Sequence, residues 1–133
     1  MKKFLAMMLA LVMALSLVAC GEQGDSQKGD DSASGDKVVK IGVFEPQSGD
    51  NGAGGKQEIL GMQYANKMIP TVTIGGEEYK VELVYADNAS SNDKAPTAAQ
   101  TLISQGVSVV LGSYGSGVSI AAGDTFSAAQ VPA

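Results

Sequence analysis

The chain reads as three blocks of different polarity. Residues 4–19 form an apolar run of sixteen positions in which Ser16 is the one polar residue. Residues 21–36 (GEQGDSQKGDDSASGD) offer almost nothing that could pack a core, and a composition of Gly, Ser and Asp predicts a solvated, flexible spacer. From residue 38 the pattern takes on the periods of regular structure. Residues 38–44 (VVKIGVF) are β-branched and nearly all apolar, which predicts a strand buried on both faces. Residues 45–55 predict a glycine-rich loop, and residues 56–69 a helix. On that helix Ile59, Met62, Ala65 and Ile69, with Leu60, Tyr64 and Met68, fall on one broad face at 3.6-residue spacing. Pro70 ends it. Gly75-Gly76 then separates two short extended runs within residues 71–80, a hairpin signal. Residues 79–86 (YKVELVYA) alternate and predict the second main strand.

The same alternation continues to the end. Residues 87–92 predict a polar loop. Residues 93–105 predict a helix with Asp93 as its cap, Pro96 in its first turn and Gly106 at its stop. Its apolar side is Ala95, Ala98, Ala99, Leu102 and Ile103. Residues 107–111 (VSVVL) predict a third strand, 112–117 (GSYGSG) a tight loop, and 116–130 an alanine-rich helix. This order predicts an α/β fold: a doubly wound, mostly parallel sheet with helices on both faces. Ligands bind such sheets beyond the carboxyl ends of the strands. The pattern is due another strand at Val131-Pro132-Ala133, and three core strands would leave an unpaired edge. The expectation is that this is the truncated first part of a longer protein.

The first block carries an address. Lys2 and Lys3 precede the apolar run, and small Ala19 closes it, the layout of a secretory signal. The run is short for a membrane span, which needs roughly 20 apolar residues. Leu17-Val18-Ala19-Cys20 followed by Gly21 resembles a bacterial lipobox. That resemblance implies cleavage before Cys20 and lipidation of its thiol, leaving the mature protein anchored outside the cell. More than one acyl chain is needed for stable attachment. The expected division is 1–19 signal peptide, 20–36 lipidated cysteine and tether, and 37–133 folded domain. A sixteen-residue flexible tether spans on the order of 20 Å.

Charge and composition remove several function classes. All nine cationic residues are lysines, histidine is absent, and the net charge of −5 becomes −7 once Lys2 and Lys3 are left out. An acidic chain of this kind does not suit nucleic acid. Without histidine there is no Ser-His-Asp or Cys-His catalysis within the chain and no Cys/His metal site. A single cysteine forms no internal disulfide. No cofactor, metal or catalytic residue is expected, and the chain is read as a non-enzyme.

Glycine-rich stretches need separate weighing. Residues 49–56 (GDNGAGGK) fail as a phosphate loop, because Asp50 stands where the first glycine belongs and Gln57 where Ser or Thr should be. Gly112, Gly115 and Gly117 invert the dinucleotide fingerprint, and neither Ser113 nor Ser116 has glycine at both −2 and +2 as a nucleophile elbow requires. The segment 112–117 nevertheless follows a buried strand and opens a helix. Gly115 and Gly117 leave backbone amides uncovered, and a helix N-terminus with free amides suits a carboxylate. The Ser116 hydroxyl either adds a bond to that anion or caps its own helix.

The segments KIGVFEPQSGDNGAGG, GMQYANKMI, YKVELVYADNAS, LISQGVSVVLGSYGSGVS and QVPA occur together over residues 38–133. In that order and spacing they resemble the N-terminal lobe of branched-chain amino-acid-type solute-binding proteins of ABC importers, with the type I periplasmic-binding fold. The resemblance implies a ligand held between two lobes, with Ser116 at the ligand's carboxylate, Gly115 and Gly117 flanking it, and Tyr114 beside them. It implies that the loop 49–55 lines the cleft mouth. Asn51, Gly52, Ala53 and Gly54 stand where the family often has an aromatic residue, which leaves side-chain preference open. Asp87 matches an acidic position and is read as structuring its loop. The implied partners are an amino acid or related carboxylate, or a small solute such as an amide, and ABC permease subunits. The implied location is extracytoplasmic, on the cell membrane through lipid on Cys20. The alternative on the same fold is a surface sensor whose liganded form docks on a signalling partner.

Overall fold

The computed structural model describes residues 37–133; the signal segment, Cys20 and the tether lie outside the described residues. Four strands and three helices follow in the order β1 (Val38–Val43), α1 (Gly52–Met68), β2 (Thr71–Ile74), β3 (Glu77–Tyr85), α2 (Ala95–Ser104), β4 (Val109–Leu111) and α3 (Ser116–Ala128). They form one sheet in the order β2-β3-β1-β4. β1 lies between β3 and β4 and pairs with both in parallel, Val43 opposite Tyr85 on one side and Leu111 on the other. β2 and β3 make the antiparallel hairpin, and Gly75 (φ 61°) and Gly76 (φ 85°) supply the two left-handed positions its tight turn requires. The mostly parallel α/β architecture is therefore as the pattern of the chain predicts.

Alternation along the strands sorts the helices. Phe44, Val84, Ala86 and Val110 face α2 and α3, where Ala95, Ala98, Ala99, Leu102, Val118, Ala122 and Phe126 complete the main core. Phe44 and Phe126 meet edge to face, with ring centroids 5.4 Å apart. Gly42 is needed here because a Cβ would lie 2.9 Å from Val110. On the opposite face, Ile41, Val81, Leu83 and Leu111 share an apolar groove of about 420 Å³ with Met62 and Ala65 of α1 and with Ile69 just past its end. Among the described residues no helix is long and apolar enough to cross a membrane.

Several local expectations are corrected. α1 begins at Gly52, four residues before the expected start, so the last four residues of the supposed loop are helix. Packing overrides glycine's low helix propensity: a Cβ on Gly55 would lie 2.1 Å from the Pro46 carbonyl oxygen, so a glycine at 55 lets this turn sit on the β1 loop. The broad apolar face of α1 divides. Ile59 is buried, whereas Leu60, Tyr64, Met68 and Ile69 are exposed. Asp93 does not cap α2. The N-cap is Lys94 with no side-chain bond, and a preceding turn directs the amides of Lys94 and Ala95 to the Ser91 carbonyl (3.2 and 3.1 Å). Pro96 in the first turn and Gly106 just past the end (φ 73°) stand as expected. β4 is shorter than expected, although the Ser108 amide still bonds the Lys40 carbonyl at 2.8 Å. On its outer edge the Val110 amide bonds the Pro132 carbonyl at 2.8 Å, where a further strand was expected to pair.

Candidate functional site

Parallel pairing brings the carboxyl ends of β1, β3 and β4 to one edge, so the loops 44–51, 86–94 and 112–115 meet there. The loop after β3 fastens the other two. Asp87 Oδ1 accepts the amides of Gln47 (2.8 Å), Ser48 (3.3 Å) and Ala89 (2.8 Å), and Oδ2 accepts the Ser48 hydroxyl (2.7 Å). Burial pushes this carboxyl up, but the Ser48 hydroxyl and the three amides together outweigh it and hold it below the usual range. Asp87 thus orders its own loop and that of β1.

Asn88 is fully buried beside it. Its Nδ2 donates to the Phe44 carbonyl (3.0 Å) and to Ser113 Oγ (2.9 Å), and its Oδ1 accepts the Ser90 amide (3.0 Å). One side chain therefore joins all three loops. Ala89 and Ser90 both take left-handed backbone angles (φ 55° and 56°) to make the turn. Gly49 (φ 76°) lies against them, since a Cβ there would be 2.2 Å from the Ala89 carbonyl oxygen.

The third tie is Glu45, 1% exposed. Its Oε2 accepts the Tyr114 amide at 2.8 Å, while Oε1 is buried without a hydrogen-bond partner. Burial pushes the carboxyl up, the Tyr114 amide pulls it partly back, and the Glu58 carboxylate raises it again, to about 7. Gly112 (φ 117°) closes over it; a Cβ at this position would lie 2.5 Å from Glu45 Oε1 and 2.5 Å from the Phe44 carbonyl oxygen. The Gly112–Ser113 peptide is cis. The Ser113 amide donates to Ser119 Oγ at 3.1 Å.

On this foundation stand the residues singled out from the sequence. Tyr114, Gly115, Ser116 and Gly117 form one continuous rim. Gly115 is the N-cap of α3, and its carbonyl accepts the amides of Val118 (3.0 Å) and Ser119 (3.1 Å). Ser116 is the first helical residue, exposed, and its hydroxyl makes no capping bond. The capping alternative for Ser116 is therefore removed. The amides of Ser116 and Gly117 lie ahead of the intrahelical ladder, at the positive end of the helix. The Asn92 side chain borders Gly117, 3.2 Å from where its Cβ would be, and Asn51 Nδ2 borders Gly115 at 4.0 Å. Tyr114 is 51% exposed and its ring covers Gly54. The expected cleft-mouth loop ends at Asn51, because Gly52–Gly55 belong to α1. The arrangement offers amide and hydroxyl donors to an anion and an aromatic face beside it. Among the described residues no group of three His, Cys, Asp or Glu side chains is placed to hold a metal ion.

Sequence reasoning did not single out Glu45, Asn88, Ser113 or Asn92. The available signal was a polar residue directly after an apolar strand, as at Glu45 and Asn88. Such a signal does not name the partner.

The comparison with protein families matches residues 38–133 to a family model described as periplasmic binding protein. The chain belongs to the periplasmic binding protein family. Solved structures agree. The leucine-binding protein LivK of Thermotoga maritima is 32% identical, with a TM-score of 0.64 over 71% of this chain and 26% of that one. The branched-chain amino-acid transporter substrate-binding protein LivJ of Streptococcus pneumoniae, in complex with isoleucine, is 32% identical, with a TM-score of 0.62 over 72% of this chain and 28% of that one. An ABC-transporter solute-binding protein of Rhodopseudomonas palustris BisB5, in complex with 3,4-dihydroxybenzoic acid, is 29% identical, with a TM-score of 0.62 over 71% and 26%. This periplasmic binding protein chain therefore spans about a quarter of the length of the structures it matches. The comparison with curated proteins finds no match. Periplasmic binding proteins are extracytoplasmic solute binders, not enzymes.

Proposed function

We propose that residues 37–133 supply the N-terminal wall of a solute receptor's cleft, and that the solute is a branched-chain amino acid or a similar small carboxylate. The observation that carries the reading is the free amides of Ser116 and Gly117 beside an uncapped Ser116 hydroxyl, at the edge where three parallel strands end. Leucine, isoleucine and 3,4-dihydroxybenzoic acid, the ligands named for the three similar proteins, have a carboxylate in common, whereas the ammonium of the two amino acids is absent from the third. That shared group is what the rim of amides suits. Tyr114 then lies beside the ligand's side chain, and a second lobe closes over both. The receptor hands its solute to an ABC permease, and lipid on Cys20 with the 20–36 tether keeps it near the membrane.

Calorimetry on the full-length protein with L-leucine, L-isoleucine and benzoate tests the ligand class. At least one is expected to bind with micromolar or tighter affinity. Heat from uncharged amides and none from any carboxylate would overturn it. For the anchor, Cys20→Ser is expected to move the protein from the detergent phase to the aqueous phase on phase partition; unchanged partition would remove Cys20 from that role.

A further inference from the structure

We propose that Glu45 is a positioning residue for the ligand rim: as the neutral acid it holds the Tyr114 amide, and with it the 112–115 loop, and loss of its proton lets the loop go. This rests on the reading of that loop as the ligand wall. Glu45 is fixed at its backbone by the strand it leaves, since the Phe44 amide bonds the Leu111 carbonyl at 2.9 Å and Asn88 bonds the Phe44 carbonyl. Its side chain runs under Gly112 and reaches 69 residues along the sequence to the Tyr114 amide. The second oxygen tells which protonation state fits. Oε1 is buried without a donor, on the side where the Phe44 carbonyl oxygen also approaches Gly112. A carboxylate there would have one oxygen solvated by nothing; a neutral acid carries no charge to be solvated and brings an O–H instead.

The surrounding charges agree with this. From α1, Glu58 presents a like charge and a side-chain hydrogen bond, and both favour the neutral acid. From the loop after β3, Asp87 is committed to Gln47, Ser48 and Ala89, and Asn88 spends its donors on Phe44 and Ser113. From the loop after β4 comes the Tyr114 amide alone. Ionisation therefore leaves a buried charge with one amide and a repelling neighbour. Only the Tyr114 amide favours the ionised form, and one amide does not solvate a buried carboxylate; the charge is relieved by turning the carboxylate out to water, and that movement breaks the Tyr114 bond. The Tyr114 ring and the Gly115–Gly117 amides follow that bond.

The test uses the full-length protein labelled with ¹⁵N-tyrosine, the Tyr114 amide being the resonance lost in Tyr114→Phe. That resonance is expected to move with pH, with a midpoint near 7, and to stay at its low-pH position throughout in Glu45→Gln. The affinity of whichever of L-leucine, L-isoleucine and benzoate binds is expected to be about tenfold weaker at pH 8 than at pH 6, the ratio of the protonated populations, and nearly constant in Glu45→Gln. A Tyr114 amide that does not move in the wild type, or that titrates equally in Glu45→Gln, overturns the proposal. If the amide titrates only with Glu45 present but none of the three ligands shifts it, Glu45 holds the loop as proposed and the ligand-wall reading fails.

Discussion

The ring of Tyr114 rests directly on the backbone of Gly54: a Cβ on Gly54 would lie 2.6 Å from the ring's Cε2. An aromatic face at the rim is therefore supplied by the loop after β4 and made possible by a glycine in the first turn of α1. Gly54→Ala separates stability from binding. Alanine favours the helix by about 1 kcal/mol over glycine, and the half-exposed ring can turn aside into solvent. The expected outcome is a melting temperature unchanged or raised, together with ligand affinity several-fold weaker by calorimetry. Unchanged affinity would show that the ring's seat does not matter to the ligand.

Asn88 is the joint on which the rim depends. Its removal leaves the buried Phe44 carbonyl short of a donor and unties Ser113 from the loop after β3. Asn88→Ala is expected to cost about 1–3 kcal/mol, the range for leaving a buried polar group unsatisfied. Asn88→Asp keeps the acceptor for the Ser90 amide but sets a buried carboxylate against the Phe44 carbonyl, so it is expected to be no better at neutral pH and to recover in acid. Urea unfolding at two pH values distinguishes them. Equal stability of all three proteins would show the joint to be dispensable.

What was legible in the sequence was local. Residues 38–43 declare a strand by their β-branched run, although burial expected along the whole of it is reached only at Gly42 and Val43; Gly75-Gly76 declare a hairpin turn, Gly106 a helix stop, and 112–117 a helix opening at a strand's end, and each depends on near neighbours. The first turn of α1 was illegible because its glycines contradict helix propensity. They lie close against Gln47, Tyr114 and Pro46, contacts that no periodicity encodes. The exposed side of α1 was misread for a related reason, since apolar spacing says which residues share a face and not how much of it is covered. Glu45 and Asn88 were hidden by distance along the chain: their partners Tyr114 and Phe44 lie 69 and 44 residues away. Tyr114 and Ser116 were legible as rim residues, but what holds the rim in place was not.

Two carboxyls give the stability a two-sided pH dependence. Glu45 is raised from 4.5 to about 7, first by burial. The folded state therefore holds a proton that the unfolded state releases, so this contribution is complete below about pH 4.5 and is lost as pH rises through about 7. With the side chain buried, the shift corresponds to at most about 3 kcal/mol. Asp87 has the opposite sign. Its lowered value means its contribution is present above the ordinary aspartate range and lost as pH falls through the folded value. Urea midpoints across this span are expected to lose the neutral-side decline in Glu45→Gln and the acid-side decline in Asp87→Asn. A wild-type profile flat from pH 5 to pH 8 would contradict the Glu45 assignment.

Ser116 decides whether the rim contacts an anion. Its hydroxyl is exposed and uncapped, so its removal leaves the helix start at Gly115 unaltered and little change in stability is expected. If the hydroxyl instead meets a carboxylate enclosed by a second lobe, Ser116→Ala forfeits a charge-assisted hydrogen bond, and binding is expected to weaken by about 1–3 kcal/mol. Ser116→Gly adds a control, since it too removes the hydroxyl while keeping the backbone amide. The two variants should lose affinity alike if the side chain is responsible. Calorimetry on the full-length protein with a bound amino acid gives the answer, and wild-type affinity in Ser116→Ala would confine any anion contact to the backbone amides of Ser116 and Gly117.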